Sequence, residues 1–205
     1  MKKKEEIKLI ILGDTGVGKT SIINRYIENK FTDNIPSTIG SNYIGKNLKR
    51  GDKQYVLNIW DTTGQEKYRS VTKLFVQEAK IVVLVYSINS KESFKVLDIW
   101  YKQVLDICGE NIIIAIVGNK TDLFDQNEYE DNELVSEEEG KKYATDKNAL
   151  FKLVSAKIDG KGINTLFDEL LDEYIKRNPN SNSQLSSFQL NPPSNKKIKK
   201  KENCC

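Results

Sequence analysis

The chain contains no histidine at all. That one absence removes Ser-His-Asp triads, Cys-His dyads and every histidine metal site from its possible chemistries. Cysteine is nearly as scarce. Cys108, Cys204 and Cys205 are too few and too poorly spaced for a disulfide framework, which points to a reducing compartment. No hydrophobic run is long: Ile81 to Ile88 and Ile112 to Val117 are strand-sized, well short of the roughly 20 apolar residues that cross a bilayer. The opening Lys2-Lys3-Lys4-Glu5-Glu6 leads into only six mostly apolar residues, so no signal peptide is expected there. A strongly basic body is missing as well. Net charge is +3, but five lysines and one glutamate lie from Asn178 onward, which leaves the 177 residues before them at −1. The body therefore shows no bias towards nucleic acid, and the positive charge belongs to a tail.

Against these absences stands one dense stretch, Gly13-Asp14-Thr15-Gly16-Val17-Gly18-Lys19-Thr20. Its spacing, Gly, four residues, then Gly-Lys-Thr, is that of a phosphate-binding loop. The apolar run Ile7 to Leu12, broken only by Lys8, predicts a buried strand before it, and Ser21 to Ile27 predicts a helix after it. The glycines let the backbone turn its N–H groups inward on an anion, and the helix beginning near Lys19 adds its positive dipole end. Lys19 would reach the β- and γ-phosphates, and the Thr20 hydroxyl would ligate Mg²⁺. On its own the loop also fits an ATPase or a nucleotide kinase.

At 205 residues the chain suits one domain of ordinary size plus a tail. Strand-like runs alternate with helical patterns, which predicts a mostly parallel sheet covered on both faces. Phe31 to Thr38 is polar and turn-rich, a loop. Tyr43 to Leu48 and Tyr55 to Trp60 read as a hairpin around Arg50-Gly51-Asp52, with Tyr55, Leu57 and Ile59 on one face. Ile81 to Ile88 and Ile112 to Val117 read as buried central strands. Between them Phe94, Leu97, Tyr101, Val104, Leu105 and Cys108 fall at helical spacing, so Cys108 is expected on a core face as an inert packing residue. Residues 124 to 134 carry five acids without the glycine and alternate-ligand spacing of a calcium loop, and read as a solvated surface loop. Ser136 with Glu139 predicts a capping box, Ala149 to Val154 a last strand, and Ile163, Leu166, Phe167, Leu170, Leu171, Tyr174 and Ile175 the stripe of a closing helix.

From Asn178 the composition turns to Asn, Ser, Gln and Pro, uncharged until Lys196, which predicts a disordered linker. It ends in Lys196-Lys197-Ile198-Lys199-Lys200-Lys201 and then Cys204-Cys205. Paired terminal cysteines beside a lysine run favour a lipid-plus-basic anchor over simple solubilising charge. Glu202 occupies the position that a Cys-a-a-X box would give to cysteine.

Three further motifs, Trp60-Asp61-Thr62-Thr63-Gly64-Gln65-Glu66, Asn119-Lys120-Thr121-Asp122 and Ser155-Ala156-Lys157, follow the phosphate loop in order, each after a strand. With them the chain resembles the Ras-like small GTPases over residues 7 to 177, and within these the Rab family. The resemblance implies a P-loop GTPase fold of the α/β class over residues 1 to 177. Its sheet would be six-stranded and mostly parallel, with helices on both faces and the nucleotide at the C-terminal strand ends. It also implies GTP or GDP with Mg²⁺, and hydrolysis of GTP by water to GDP and phosphate. Asp14, Thr15, Gly16, Val17, Gly18, Lys19, Thr20 and Ser21 would hold the phosphates. Thr20, Thr38 and Asp61 would serve the metal, Asp61 through water. Gly64 would sense the γ-phosphate through its N–H, and Gln65 would orient the attacking water.

The Asp122 carboxylate can accept both the N1–H and the 2-amino hydrogen of guanine, an arrangement that adenine lacks. Asn119 and Lys120 would brace the base pocket, the Ala156 N–H would meet the guanine oxygen, and Ser155 and Lys157 complete that motif. Phe31, twelve residues past Lys19, would lie against the guanine ring; a helix-end core contact is its alternative.

The Rab resemblance rests on Thr38-Ile39-Gly40-Ser41-Asn42-Tyr43, Tyr68-Arg69-Ser70-Val71-Thr72, Leu84-Val85-Tyr86-Ser87-Ile88 and the Cys-Cys end; Phe75-Val76-Gln77-Glu78-Ala79 retains little of the family pattern. It implies geranylgeranyl groups on Cys204 and Cys205, and a monomer cycling between the cytosol and the cytoplasmic face of an intracellular membrane. Its partners would be an exchange factor, a GTPase-activating protein, a dissociation inhibitor or escort, and effectors docking on Tyr43, Trp60 and Phe75. Trp60 capping the sheet edge is the alternative for the last. Two departures stand out: Thr63 where the family has alanine, and a longer acidic loop after Asp122. The implied role is a membrane-trafficking switch. A Ras- or Rho-like signalling switch and a GTP-locked scaffold are its rivals.

Overall fold

The computed structural model describes residues 4–33, 35–38, 42–64, 69–124 and 134–179. Gln65, Tyr68, Ile39 to Ser41, most of the acidic loop, and the tail with Cys204 and Cys205 lie outside the described residues.

Six strands form one sheet: β1 (Glu5–Gly13), β2 (Asn42–Arg50), β3 (Lys53–Asp61), β4 (Ile81–Ser87), β5 (Ile113–Asn119) and β6 (Leu150–Leu153), in the order β2-β3-β1-β4-β5-β6. Only β2 and β3 run antiparallel, folded about Gly51 in the turn between Arg50 and Lys53. Every other neighbouring pair is parallel, with Leu9 opposite Ile81 and Ile81 opposite Ile113. The central strands β4 and β5 are buried at every position, as their largely apolar, β-branched-rich runs require of strands covered on both faces. In β3 burial alternates, with Tyr55, Leu57 and Ile59 inward, while the edge strand β2 has no fully buried residue.

Helices α1 (Lys19–Glu28) and α6 (Gly160–Arg177) cover the face of Ile7, Leu9 and Ile11. There Tyr26 stacks on Phe167 with ring centroids 3.8 Å apart. Helices α2 (Arg69–Val76), α3 (Lys91–Lys95), α4 (Leu97–Cys108) and α5 (Glu137–Asp146) lie on the side of Ile10 and Leu12. The Ser136–Glu139 capping box starts α5 with both reciprocal bonds made.

Two sequence expectations are corrected. The single helix expected through Phe94 and Cys108 is divided at Val96 into α3 and α4. Leu97 and Val104 are buried as the spacing predicts, and Trp100 joins them on that face. Tyr101, Leu105 and Cys108 are only partly buried. Cys108 still packs inward: its thiol donates to the Val76 carbonyl at 3.2 Å, and burial pushes its pKa up. The second correction is α2 itself, where no helix was expected.

Candidate functional site

The C-terminal ends of β1, β3, β4 and β5 and the turn after β6 converge at one edge of the sheet, around a cleft of about 310 Å³. Its walls come from separate stretches of the chain: residues 15–21, 31–33, 35–38, 62–63, 119–122 and 156–157.

At one end lies the phosphate loop. Lys19 is only 4% exposed, and its ammonium donates to the carbonyls of Gly13 at 3.0 Å and Asp14 at 2.9 Å. A lysine so placed is a fixed positive charge beneath the loop. Asp14 Oδ1 accepts the Thr15 amide at 2.8 Å, which shapes the turn. Gly18 caps α1 in the left-handed region, φ 93°, and a Cβ there would collide with Asn119 Nδ2. Gly64, φ 81°, sits so close that a Cβ would come within 2.5 Å of Lys19 Nζ and 2.7 Å of the Thr15 nitrogen. Only glycine allows either approach.

Beside this lies a cluster of hard oxygens. The Thr20 hydroxyl donates to Asp61 Oδ2 at 2.7 Å and lies 2.7 Å from the Thr38 hydroxyl. Asp61 is buried beneath the cleft floor, so it reaches the cleft through Thr20. Two hydroxyls and a carboxylate converging from α1, the 31–38 segment and the end of β3 form a donor set suited to Mg²⁺.

The far end is built on Asn119, itself buried. Its Nδ2 donates to the Val17 carbonyl at 2.9 Å and its Oδ1 accepts the Ala156 amide at 3.2 Å, so one side chain joins the phosphate loop to the last motif. Val17 takes part through this carbonyl, since its side chain is in the core. Lys120 adopts a left-handed turn, φ 70°, and burial lowers its pKa while Asp122 opposes the shift. Ser155 is buried; its hydroxyl donates to Asp122 Oδ1 and accepts the amides of Lys157 and Ile158. Phe31 both lines the cleft and packs on the core, so its two readings coexist. At the mouth, Lys157 Nζ lies 3.8 Å from Asp33 Oδ1.

Thr32, Asp33, Ile35, Pro36 and Ser37 supply cleft wall in a stretch whose sequence predicts only a loop. Arg25 was also missed. It lies outside every motif, yet its guanidinium donates to the carbonyls of Ala156 and Lys157 at 2.8 and 2.7 Å. No local signal marks these two bonds, because Ala156 and Lys157 lie more than a hundred residues away. Tyr43, Trp60 and Phe75 do assemble: Tyr43 meets Trp60 edge-on at 5.4 Å and Trp60 lies 6.2 Å from Phe75. Tyr43 is half exposed, while Trp60 and Phe75 are partly buried against the core.

A glycine-bounded loop, an oxygen cluster and one cleft along the C-terminal strand ends of such a sheet match the architecture of the small GTPase class. The family model described as Ras family matches residues 8–176. Human Ras-related protein Rab-22A is 37% identical over 182 residues, covering 89% of this chain and 88% of that protein. Rat Rab-31 is 34% identical and covers 98% of this chain and 97% of its own length. Rab-21 of Geodia cydonium is 36% identical over 85% of the chain. The chain belongs to the Ras family of small GTPases, as a divergent member of its Rab branch. It is a GTP-binding switch that hydrolyses GTP and regulates membrane trafficking.

Proposed function

We propose that the cleft holds GTP or GDP with the phosphates over Lys19 and the guanine between Phe31 and Asp122. The observation that carries this is the division of labour along one cleft. Lys19, Thr20, Thr38 and Asp61 gather at one end, and Asn119, Asp122 and Ala156 at the other. Amides of residues 14–21 and the Lys19 ammonium neutralise the phosphates. Thr20 and Thr38, with Asp61 acting through water, would hold Mg²⁺, which would supply further neutralisation of phosphate charge.

In hydrolysis a water oxygen bonds to the γ-phosphorus as the bond to the β,γ-bridging oxygen breaks, giving GDP and phosphate. Gln65 orients that water, Gly64 donates its N–H to the γ-phosphate, and Lys19 stabilises the charge that develops. Loss of the γ-phosphate removes the contact that holds Gly64 and Thr38 in place, and so changes the surface beside Tyr43, Trp60 and Phe75 that effectors read. An exchange factor and an activating protein set the timing.

Residues 178–205 act as a linker to two geranylgeranyl groups on Cys204 and Cys205, with the lysine run as a second signal for an anionic leaflet. A dissociation inhibitor would return the protein from the cytoplasmic face of the membrane to the cytosol. The test is a fluorescent-GDP titration with GTP, ATP and EDTA as competitors. Displacement by GTP, resistance to ATP and faster release after Mg²⁺ removal support the reading. Equal displacement by ATP contradicts it.

A further inference from the structure

We propose that Arg25 is a positioning residue for guanine recognition, holding the Ala156–Lys157 loop at a fixed distance from the phosphate loop. This rests on the assignment of Ala156 to the base. Arg25 lies six residues into the helix that Lys19 opens, about 9 Å along its axis. From there the guanidinium makes a three-pronged contact. Nε donates to the Ala156 carbonyl at 2.8 Å, Nη2 to the Lys157 carbonyl at 2.7 Å, and Nη1 to the Asn29 carbonyl at 3.0 Å. Asn29 is the left-handed C-cap of α1, φ 54°, and its amide returns a bond to the Arg25 carbonyl at 3.0 Å. The guanidinium therefore joins the last turn of the phosphate helix to two successive peptides of the base loop.

Those two peptides matter because of what else grips the loop. Ala156 is held from both sides: its N–H donates to Asn119 Oδ1 at 3.2 Å while its carbonyl accepts from Arg25. At 3.2 Å that bond sits at the long end of the N–H···O range, which suits an amide that shares its hydrogen with a second acceptor. Gly160 permits the approach, since a Cβ there would come within 2.8 Å of Asn29 Oδ1 and 3.3 Å of Arg25 Cδ. Lysine cannot replace the fork, because an ammonium is a single point and cannot span carbonyls of both elements in one plane. With Arg25 in place, α1 is a strut whose start grips phosphate and whose end sets the height of the base loop. Without it, the loop keeps its bonds to Asn119 and Ser155 but loses its tie to α1.

The test compares GDP with 6-thio-GDP, which differs only at the oxygen that the Ala156 amide would meet. Dissociation rates of both are measured for the full chain, Arg25→Ala and Arg25→Lys, with the melting temperature of each GDP-bound protein as a control for folding. The parent should prefer GDP several-fold, as one neutral hydrogen bond allows. Both variants should release GDP about tenfold faster and lose most of that preference. A general loss of stability would speed release of both nucleotides equally and leave the ratio intact. A parent that discriminates, with either variant discriminating as well, overturns the role of Arg25 alone. A parent that holds both nucleotides equally well, or holds no guanine nucleotide, overturns the assignment of Ala156 and this inference with it. If Arg25→Ala does not fold, Arg25→Lys decides, because it keeps the stem and the charge.

Discussion

Replacing Asp122 with asparagine should convert the base preference, and the local geometry says which way the new amide turns. Ser155 Oγ accepts the Lys157 amide at 3.2 Å and the Ile158 amide at 3.3 Å, so its own proton goes to Asp122 Oδ1. In the variant only the amide oxygen can take that proton. The oxygen therefore stays on Ser155, and Nδ2 is turned into the cleft. There it meets the N1–H and 2-amino donors of guanine with donors of its own. Two charge-assisted bonds are lost, each about 1.5–3 kcal/mol, or about 3–6 kcal/mol together. The GDP dissociation constant should rise by about two to four orders of magnitude. Xanthine offers a carbonyl oxygen where guanine has its 2-amino group, so xanthosine diphosphate should gain affinity. Parallel fluorescent titrations with the two nucleotides measure both changes. GDP affinity within threefold of the parent, with no gain for xanthosine diphosphate, would refute the base-pocket geometry.

Other substitutions probe the remaining parts. Thr63 lines the cleft one residue before Gly64, so its extra methyl and hydroxyl should hinder closure on the γ-phosphate. Single-turnover hydrolysis should be faster in Thr63→Ala with GTP still tightly bound, and equal rates would sink the idea. Tyr43→Ala and Phe75→Ala should abolish GTP-dependent capture of partner proteins while the loaded protein stays folded. Unfolding of Phe75→Ala, which is partly buried, would instead assign that ring to the core. A Cys204→Ser/Cys205→Ser protein should fail to sediment with membranes; sedimentation at the parent's level would exclude the double lipid anchor. Gly140→Ala should lower the melting temperature. Its Cβ would strike the Tyr86 hydroxyl and come within 2.7 Å of the Phe151 ring, and overpacking of about 1–3 kcal/mol outweighs the roughly 1 kcal/mol of helix propensity gained. An unchanged or raised melting temperature would mean that α5 shifts freely.

Legibility followed contiguity. Lys19 and Thr20 could be read because strand, loop and helix are adjacent in the chain and the chemistry needs them adjacent. The hairpin at Gly51 and the Ser136 cap were equally local. Tyr43, Trp60 and Phe75 were brought together only through the family resemblance, and the β2–β3 register then set Tyr43 opposite Trp60. What escaped was decided by tertiary contact. Arg25 is an ordinary polar helix residue until β6 and α6 place carbonyls before it. Trp100, by contrast, lies three residues past Leu97 and four before Val104, on the stripe that those two already mark, so spacing alone could have found it. The α2 helix spans eight residues, too short to stand out from other short apolar runs, although Val71, Leu74 and Phe75 fall at helical spacing.

Phosphate release from bound GTP tests the switch most directly. The protein, stripped of nucleotide and loaded with one equivalent of GTP and Mg²⁺, is followed in a single turnover, with ATP as a parallel arm. One phosphate per protein should appear slowly, at a rate on the order of 10⁻⁴ s⁻¹ or below without an activating protein, while GDP remains bound. ATP should be neither retained nor cleaved. GTP that stays intact even with a broad-range activating protein would make the chain a GTP-locked scaffold, and comparable turnover of ATP would contradict the account at its centre.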